Sequence, residues 1–323
     1  MRRAMAEAEV GDAVFSDDPT VNRLEAVIAE RLGMERALFV PSGTMSNQIG
    51  VGTVAGPGEV VLCSEFAHIA RWEGGGAAAT FGVSLVQVAG GGGLPTTGDL
   101  EAHRYGPHPK APVVAALALE NTHNWAGGRV FSAAQVGDRI GWAKAHGLAV
   151  HIDGARLFNA AIATGGSVAD LVAGADTVSV CFSKGLGAPI GSCLVGRRDL
   201  MTRADRIRQR LGGGMRQAGI LAAAALFALE HHVDRLVEDH QRARVLADAL
   251  VRTGVGQPLH PIESNIVQFR VADRFGSSQE LVQRAIARGV TFFPTGPMTA
   301  RLVTHLDLDD AAIARAVAAF EAL

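Results

Sequence analysis

Seven apolar runs of strand length divide the first two thirds of the chain: Ala37–Val40, Glu59–Cys63, Ser84–Val88, Val113–Glu120, Ala149–Asp153, Thr177–Phe182 and Gly191–Val195. Several are continuous rather than alternating, as in strands buried on both faces. Helical stretches separate many of them. Val21–Leu32 sets Leu24, Val27, Ile28 and Leu32 along one side, and Ser132–His146 opens on a serine suited to capping. This alternation predicts an α/β domain with a largely parallel sheet. Ligands of such sheets bind beyond the carboxyl ends of the strands, so the residues that follow each run matter most.

From Ile220 the pattern changes. Long helices are predicted over Ile220–His231 and Val233–Thr253, short strands over Asn265–Val271 and Val290–Pro294, and a closing helix over Asp309–Leu323. This gives an N-terminal arm (residues 1–20), a large domain (21–235) and a smaller α+β domain (236–323). Hydrophobic residues make up 48% of the 323, enough for a real core. The 30 basic and 32 acidic residues leave a net charge of −2 with no like-charge run, which disfavours nucleic acid and membrane surfaces as partners. The longest apolar stretch, Gly219–Leu229, is too short to span a bilayer. The opening Met1-Arg2-Arg3-Ala4-Met5 lacks the apolar core of a signal peptide. Cys63, Cys181 and Cys193 are too few for a disulfide framework and fit a reducing compartment. The expectation is a cytoplasmic protein acting on small molecules.

Five places carry chemistry. In Ser183-Lys184-Gly185-Leu186-Gly187 a lysine follows an apolar β run directly, where it is either a Schiff-base lysine or a solvated loop residue. In His151-Ile152-Asp153-Gly154-Ala155-Arg156 a strand ends on an aspartate, which either pairs with a pyridinium nitrogen or caps a turn. Arg156 follows, facing the same pocket or making a surface ion pair, and His151 reads as a support for Asp153 rather than a catalytic group. Pro41-Ser42-Gly43-Thr44 joins a strand to a helix start, which is an anion site or a plain capped turn. Without a Walker lysine or GxGxxG, a single phosphate suits it better than a nucleotide. His68 and His123 each follow a strand and are candidates for ring stacking or proton exchange. His103, His108, His231, His232 and His240 read as solvated, and Gly90–Gly93 as a loop. Arg301 opens a short apolar run, and Arg216 follows the flexible Gly212-Gly213-Gly214-Met215; each suits a carboxylate or phosphate, or is surface charge. No HExxH or CxxC spacing supports a metal.

In these segments the chain resembles the L-threonine aldolases, members of the β-eliminating lyase group of fold type I pyridoxal phosphate enzymes. The resemblance is most specific in Asp18–Glu25, Phe39–Gln48, Glu120–Asn124, His151–Arg156, Ser183–Leu186, Gly212–Gln217 and Arg301–Leu306. It implies a mostly parallel seven-stranded sheet in the large domain and pyridoxal 5′-phosphate as cofactor. Lys184 would carry the cofactor as a Schiff base, Asp153 hold its ring nitrogen, and Gly43 and Thr44 its phosphate. His68 would stack on the ring, Arg156 and Arg301 clamp the substrate carboxylate, and His123 lie near the substrate hydroxyl. Arg216 would contact phosphate across a dimer interface in a homotetramer, a dimer of dimers. The implied reaction cleaves L-threonine, L-allo-threonine or related β-hydroxy-α-amino acids, reversibly, to glycine and an aldehyde. The alternatives are another fold type I activity (β-elimination, racemisation or transamination) or a non-catalytic cofactor-binding subunit. Three departures from the family pattern stand out: no upstream Ser-Asp-Thr segment, Phe15 where tyrosine is usual, and Gln209 where lysine is common.

Overall fold

The computed structural model describes residues 1–106 and 108–323. Its main sheet holds β1 (Arg36–Val40), β2 (Val60–Ser64), β3 (Ser84–Val88), β4 (Val114–Glu120), β5 (Ala149–Gly154), β6 (Thr177–Cys181) and β7 (Ser192–Gly196). Each predicted run is a strand, with its ends shifted by no more than one residue. The spatial order is β1-β7-β6-β5-β4-β2-β3. β7 is antiparallel to both neighbours, β1 and β6, while the remaining pairs are parallel. The carboxyl ends of β2, β4, β5 and β6 therefore share one edge.

Helices cover the sheet, which explains the unbroken apolar runs: β2, β6 and β7 are buried throughout. The helix Gly43–Val54 lies against β5, β6 and β7. Its approach needs Gly50, because a Cβ there would run into the imidazole of His151. The three cysteines are buried free thiols. Among the described residues, no helix is long and apolar enough to cross a membrane.

A second, antiparallel sheet holds β8 (Gly256–Pro258), β9 (Ile266–Val271), β10 (Phe293–Gly296) and β11 (Thr299–Val303), in the order β10-β11-β9-β8. The strand predicted over Val290–Pro294 starts later, at Phe293, on the exposed edge of this sheet. β11 alternates, burying Ala300 and Leu302 and turning Arg301 to the other side. The helix predicted from Val233 begins at Leu236 and ends at Arg252. Leu236 belongs to the core under the large sheet, whereas Ala243, Leu246, Ala247 and Leu250 belong to the core of the small one. His240, on this helix, is not solvated as expected. It is buried, and its Nε2 accepts from Asn159 Nδ2 at 3.1 Å, because this face of the helix packs on the helix Leu157–Thr164.

Asp18 fastens the start of the fold. Its buried carboxylate caps the helix Pro19–Arg31, taking the N–H groups of Thr20 (3.1 Å) and Val21 (3.0 Å). The other oxygen takes the Gly219 N–H at 2.8 Å, tying in the helix Gly219–His231. Asp18→Ala orphans these amides, so urea unfolding should show a loss of about 2–4 kcal/mol. An unfolding free energy within 0.5 kcal/mol of wild type, the roughly neutral range for surface changes, would refute that tether.

Candidate active site

β5 carries the acid. Residues two apart on a strand share a face, and both His151 and Asp153 turn toward Asn47 on the helix Gly43–Val54. Asn47 Nδ2 donates to Asp153 Oδ2 at 2.8 Å, and Asp153 Oδ1 accepts the Ala155 N–H at 3.0 Å. Asn47 Oδ1 faces His151 Nε2 at 3.2 Å, and His151 Nδ1 lies 2.9 Å from Thr177 Oγ1. The amide oxygen can only accept, so the His151 proton sits on Nε2 and Thr177 donates to Nδ1. Burial drives His151 down to about 4 against the pull of Asp153, so it is a neutral support at pH 7. Burial is the strongest single influence on Asp153 and would raise it. Lys184, His68, the Ala155 amide and Asn47 together outweigh burial, and the carboxyl stays below its usual range. Lys184, half-buried in the turn after β6, thus lies close enough to Asp153 for its charge to act on the carboxylate.

His68 opens the short helix His68–Arg71. Its backbone N–H bonds Glu120 Oε2 at 2.8 Å and its Nδ1 meets Glu73 Oε1 at 2.9 Å. At the start of the helix Gly43–Val54, Ser42 Oγ caps Met45 N, and Ser46 N bonds Ser42 O. No intrachain partner takes the Gly43 and Thr44 amides among the described residues, the arrangement that receives an anion. A Cβ on Gly43 would lie 2.5 Å from Cys181 Sγ, so only glycine lets this turn sit against β6.

Two guanidinium groups meet nearby. Arg156 donates to Asn124 Oδ1 at 3.4 Å and Arg301, from β11, donates to the same oxygen at 3.0 Å. Both Nε–H groups are buried without a partner. Burial lowers the proton affinity of both, and Arg301 adds its repulsion at Arg156. Two cations sharing one neutral oxygen form a receptor for an anion. His123 is buried; Nδ1 accepts the Ala126 N–H at 3.2 Å, which leaves its proton on Nε2, 2.8 Å from Ser64 Oγ. It borders a cleft of about 360 Å³ with Phe66, Trp125 and the Gly90–Gly93 loop. Arg216 stands apart from these groups. It is exposed and bonds Asp12 Oδ2 at 2.6 Å.

The structure brings together Lys184, Asp153, His68, Arg156 and Arg301, and adds residues to which the sequence assigned no part. Asn47, Glu120 and Asn124 lie inside recognisable motifs, but their roles depend on partners far along the chain. Glu73 lies in none. His68, Glu73 and Asp153 bring three potential metal-ligating atoms within 4.8 Å of one another, but Asn47 hydrogens already lie between the two carboxylates.

An amide cradle at a helix start, a buried acid and a lysine on one sheet edge suit in kind the phosphate, ring nitrogen and aldehyde of pyridoxal phosphate. The sheet and site define the class, a fold type I pyridoxal phosphate enzyme. Within it the chain belongs to the β-eliminating lyase family, whose model matches residues 1–272. It is 41% identical to the probable low-specificity L-threonine aldolase 2 of Arabidopsis thaliana, covering 99% of this chain and 92% of that one. The low specificity L-threonine aldolase of Escherichia coli (strain K12) is 38% identical, over 100% and 94%. The fold matches a solved Leishmania major threonine aldolase with a TM-score of 0.85 at 20% identity, covering 100% and 94% of the two chains.

Two buried histidines make stability depend on pH. Burial depresses His151 and His240 from 6.5 to about 4. Between these values the unfolded chain takes up protons that the folded protein does not, so stability is full above pH 6.5 and falls toward pH 4. His68 and Glu25 shift upward and act in the opposite direction. Urea midpoints should drop on acidification from neutrality to pH 5, with a shallower slope in His240→Gln, which keeps an acceptor for Asn159. A midpoint that rises over this range would contradict the assignment.

Proposed function

We propose that this chain is a pyridoxal-phosphate-dependent aldolase that cleaves L-threonine, L-allo-threonine or related β-hydroxy-α-amino acids, reversibly, to glycine and an aldehyde. The observation that carries the reading is the unsatisfied arginine pair beside the Lys184–Asp153 pocket: a receptor for an α-carboxylate next to an amine suited to Schiff-base exchange. The full-length likeness to low-specificity L-threonine aldolases supports the substrate class.

Bound here, pyridoxal phosphate supplies an aldehyde for the substrate amine and an electron sink for the α-carbon. Gly43 and Thr44 would hold its phosphate through their free amides, Asp153 would keep the ring nitrogen protonated, and His68 would stack on the ring. Lys184 would hold the cofactor as a Schiff base. Arg156 and Arg301 would grip the substrate carboxylate and so fix how the amino acid lies in the site. His123, with Nδ1 taking the Ala126 N–H and Nε2–H directed at Ser64 Oγ, would lie near the substrate hydroxyl as a group held in place by both neighbours. The same reading has a cytoplasmic homotetramer, a dimer of dimers, in which Arg216 crosses to the phosphate of a neighbouring subunit.

Purified protein should be yellow and release glycine and acetaldehyde from L-threonine or L-allo-threonine. Lys184→Ala should lose the colour, borohydride trapping and aldehyde release together; a variant with normal turnover would sink the scheme. Release of ammonia and a keto acid would mark β-elimination instead. Arg301→Ala leaves one guanidinium for the carboxylate and should raise KM by about tenfold or more, the loss of one charged hydrogen bond. A KM unchanged in steady-state assays would remove Arg301 from the receptor.

A further inference from the structure

Glu73 is enclosed by the site, and nothing in the reading above uses it. It sits in the turn after His68–Arg71 with its side chain 0% exposed. Oε1 accepts from Asn47 Nδ2 at 2.8 Å and meets His68 Nδ1 at 2.9 Å; Oε2 accepts from Gln48 Nε2 at 2.6 Å. These partners include no lysine or arginine, so an ionised Glu73 draws its compensating charge from His68. Asn47 has two amide hydrogens, one for Glu73 and one for Asp153. Two buried carboxylates are thereby joined through a single NH2 group, and the imidazole hangs from one of them.

We propose that Glu73 is a positioning residue: it fixes His68 with a proton on Nδ1 and, through Asn47, aims Asp153. The inference rests on the pyridoxal phosphate reading of the site. A carboxylate on Nδ1–H leaves Nε2 as the nitrogen facing the pocket and stabilises the imidazolium. The charged groups facing His68 are Glu73 from its own turn, Asp153 from β5 and Lys184 from the turn after β6, with Glu120 of β4 on its backbone N–H. Burial works against the imidazolium, but the Glu73 hydrogen bond and the Asp153 charge outweigh burial and Lys184, so His68 keeps its proton above the usual histidine value.

The test uses holoenzyme and follows kcat/KM and cofactor absorbance against pH in wild type, Glu73→Gln, Glu73→Asp, His68→Asn and the Glu73→Gln/His68→Asn double variant. Glu73→Gln should lower kcat/KM about tenfold, the size of one charge-assisted hydrogen bond. The limb that disappears in His68→Asn should move to lower pH in Glu73→Gln, and Glu73→Gln should cost little more once His68 is gone. Equal losses in both backgrounds with an unmoved limb would reduce Glu73 to packing and overturn the proposal, as would a His68→Asn profile that loses no limb. Should Glu73→Gln fail to fold, Glu73→Asp decides: a limb displaced to lower pH supports the role, and an unmoved one overturns it. If wild type releases ammonia and a keto acid, the aldolase reading fails while this test stands, because the limb can be read on either product.

Discussion

An ionised carboxylate at the buried end of β5 demands compensation, and much of the fold around it serves that demand. Asp153 takes one hydrogen bond from the backbone after it and one from Asn47, and faces the positive charge of Lys184. Asn47 reaches it because the helix Gly43–Val54 presses close to the sheet at Gly50, where His151 also lies. The start of the same helix presents the free amides of Gly43 and Thr44. One close helix–sheet contact therefore sets the spacing between an anion cradle and an acid.

Glu120 performs a similar service on the neighbouring strand. One of its oxygens holds the backbone of His68 and the other holds the Asn124 N–H at 2.8 Å. Asn124 in turn occupies both arginines. The end of β4 thus links His68 to the arginine pair. Breaking a buried charged link of this kind leaves the remaining partner unsatisfied, which is why such networks tolerate substitution poorly.

Apolar patterning made the main sheet legible nearly to the residue, because strands buried on both faces leave little choice of register or boundary. Lys184 and Asp153 were legible because an ionisable residue at the end of such a run stands out. Asn47, Glu73 and Asn124 were not. An amide or acid in a helix or turn looks ordinary until its distant partners are known, and those partners lie as far off as Arg301. His240 was misread because its helix is wedged between two packed surfaces, so more than one side is buried. β8 escaped notice, and β11 was seen only as a short apolar run opened by Arg301, because both are short, carry proline or arginine, and owe their pairing to β9.

The helix Leu236–Arg252 starts in one core and finishes in the other. Arg156 belongs to the first lobe and Arg301 to the second. A stiff rod rather than slack chain connects the two lobes at this point. Under the proposed aldolase reading, an amino acid held by both arginines would tie one lobe directly to the other.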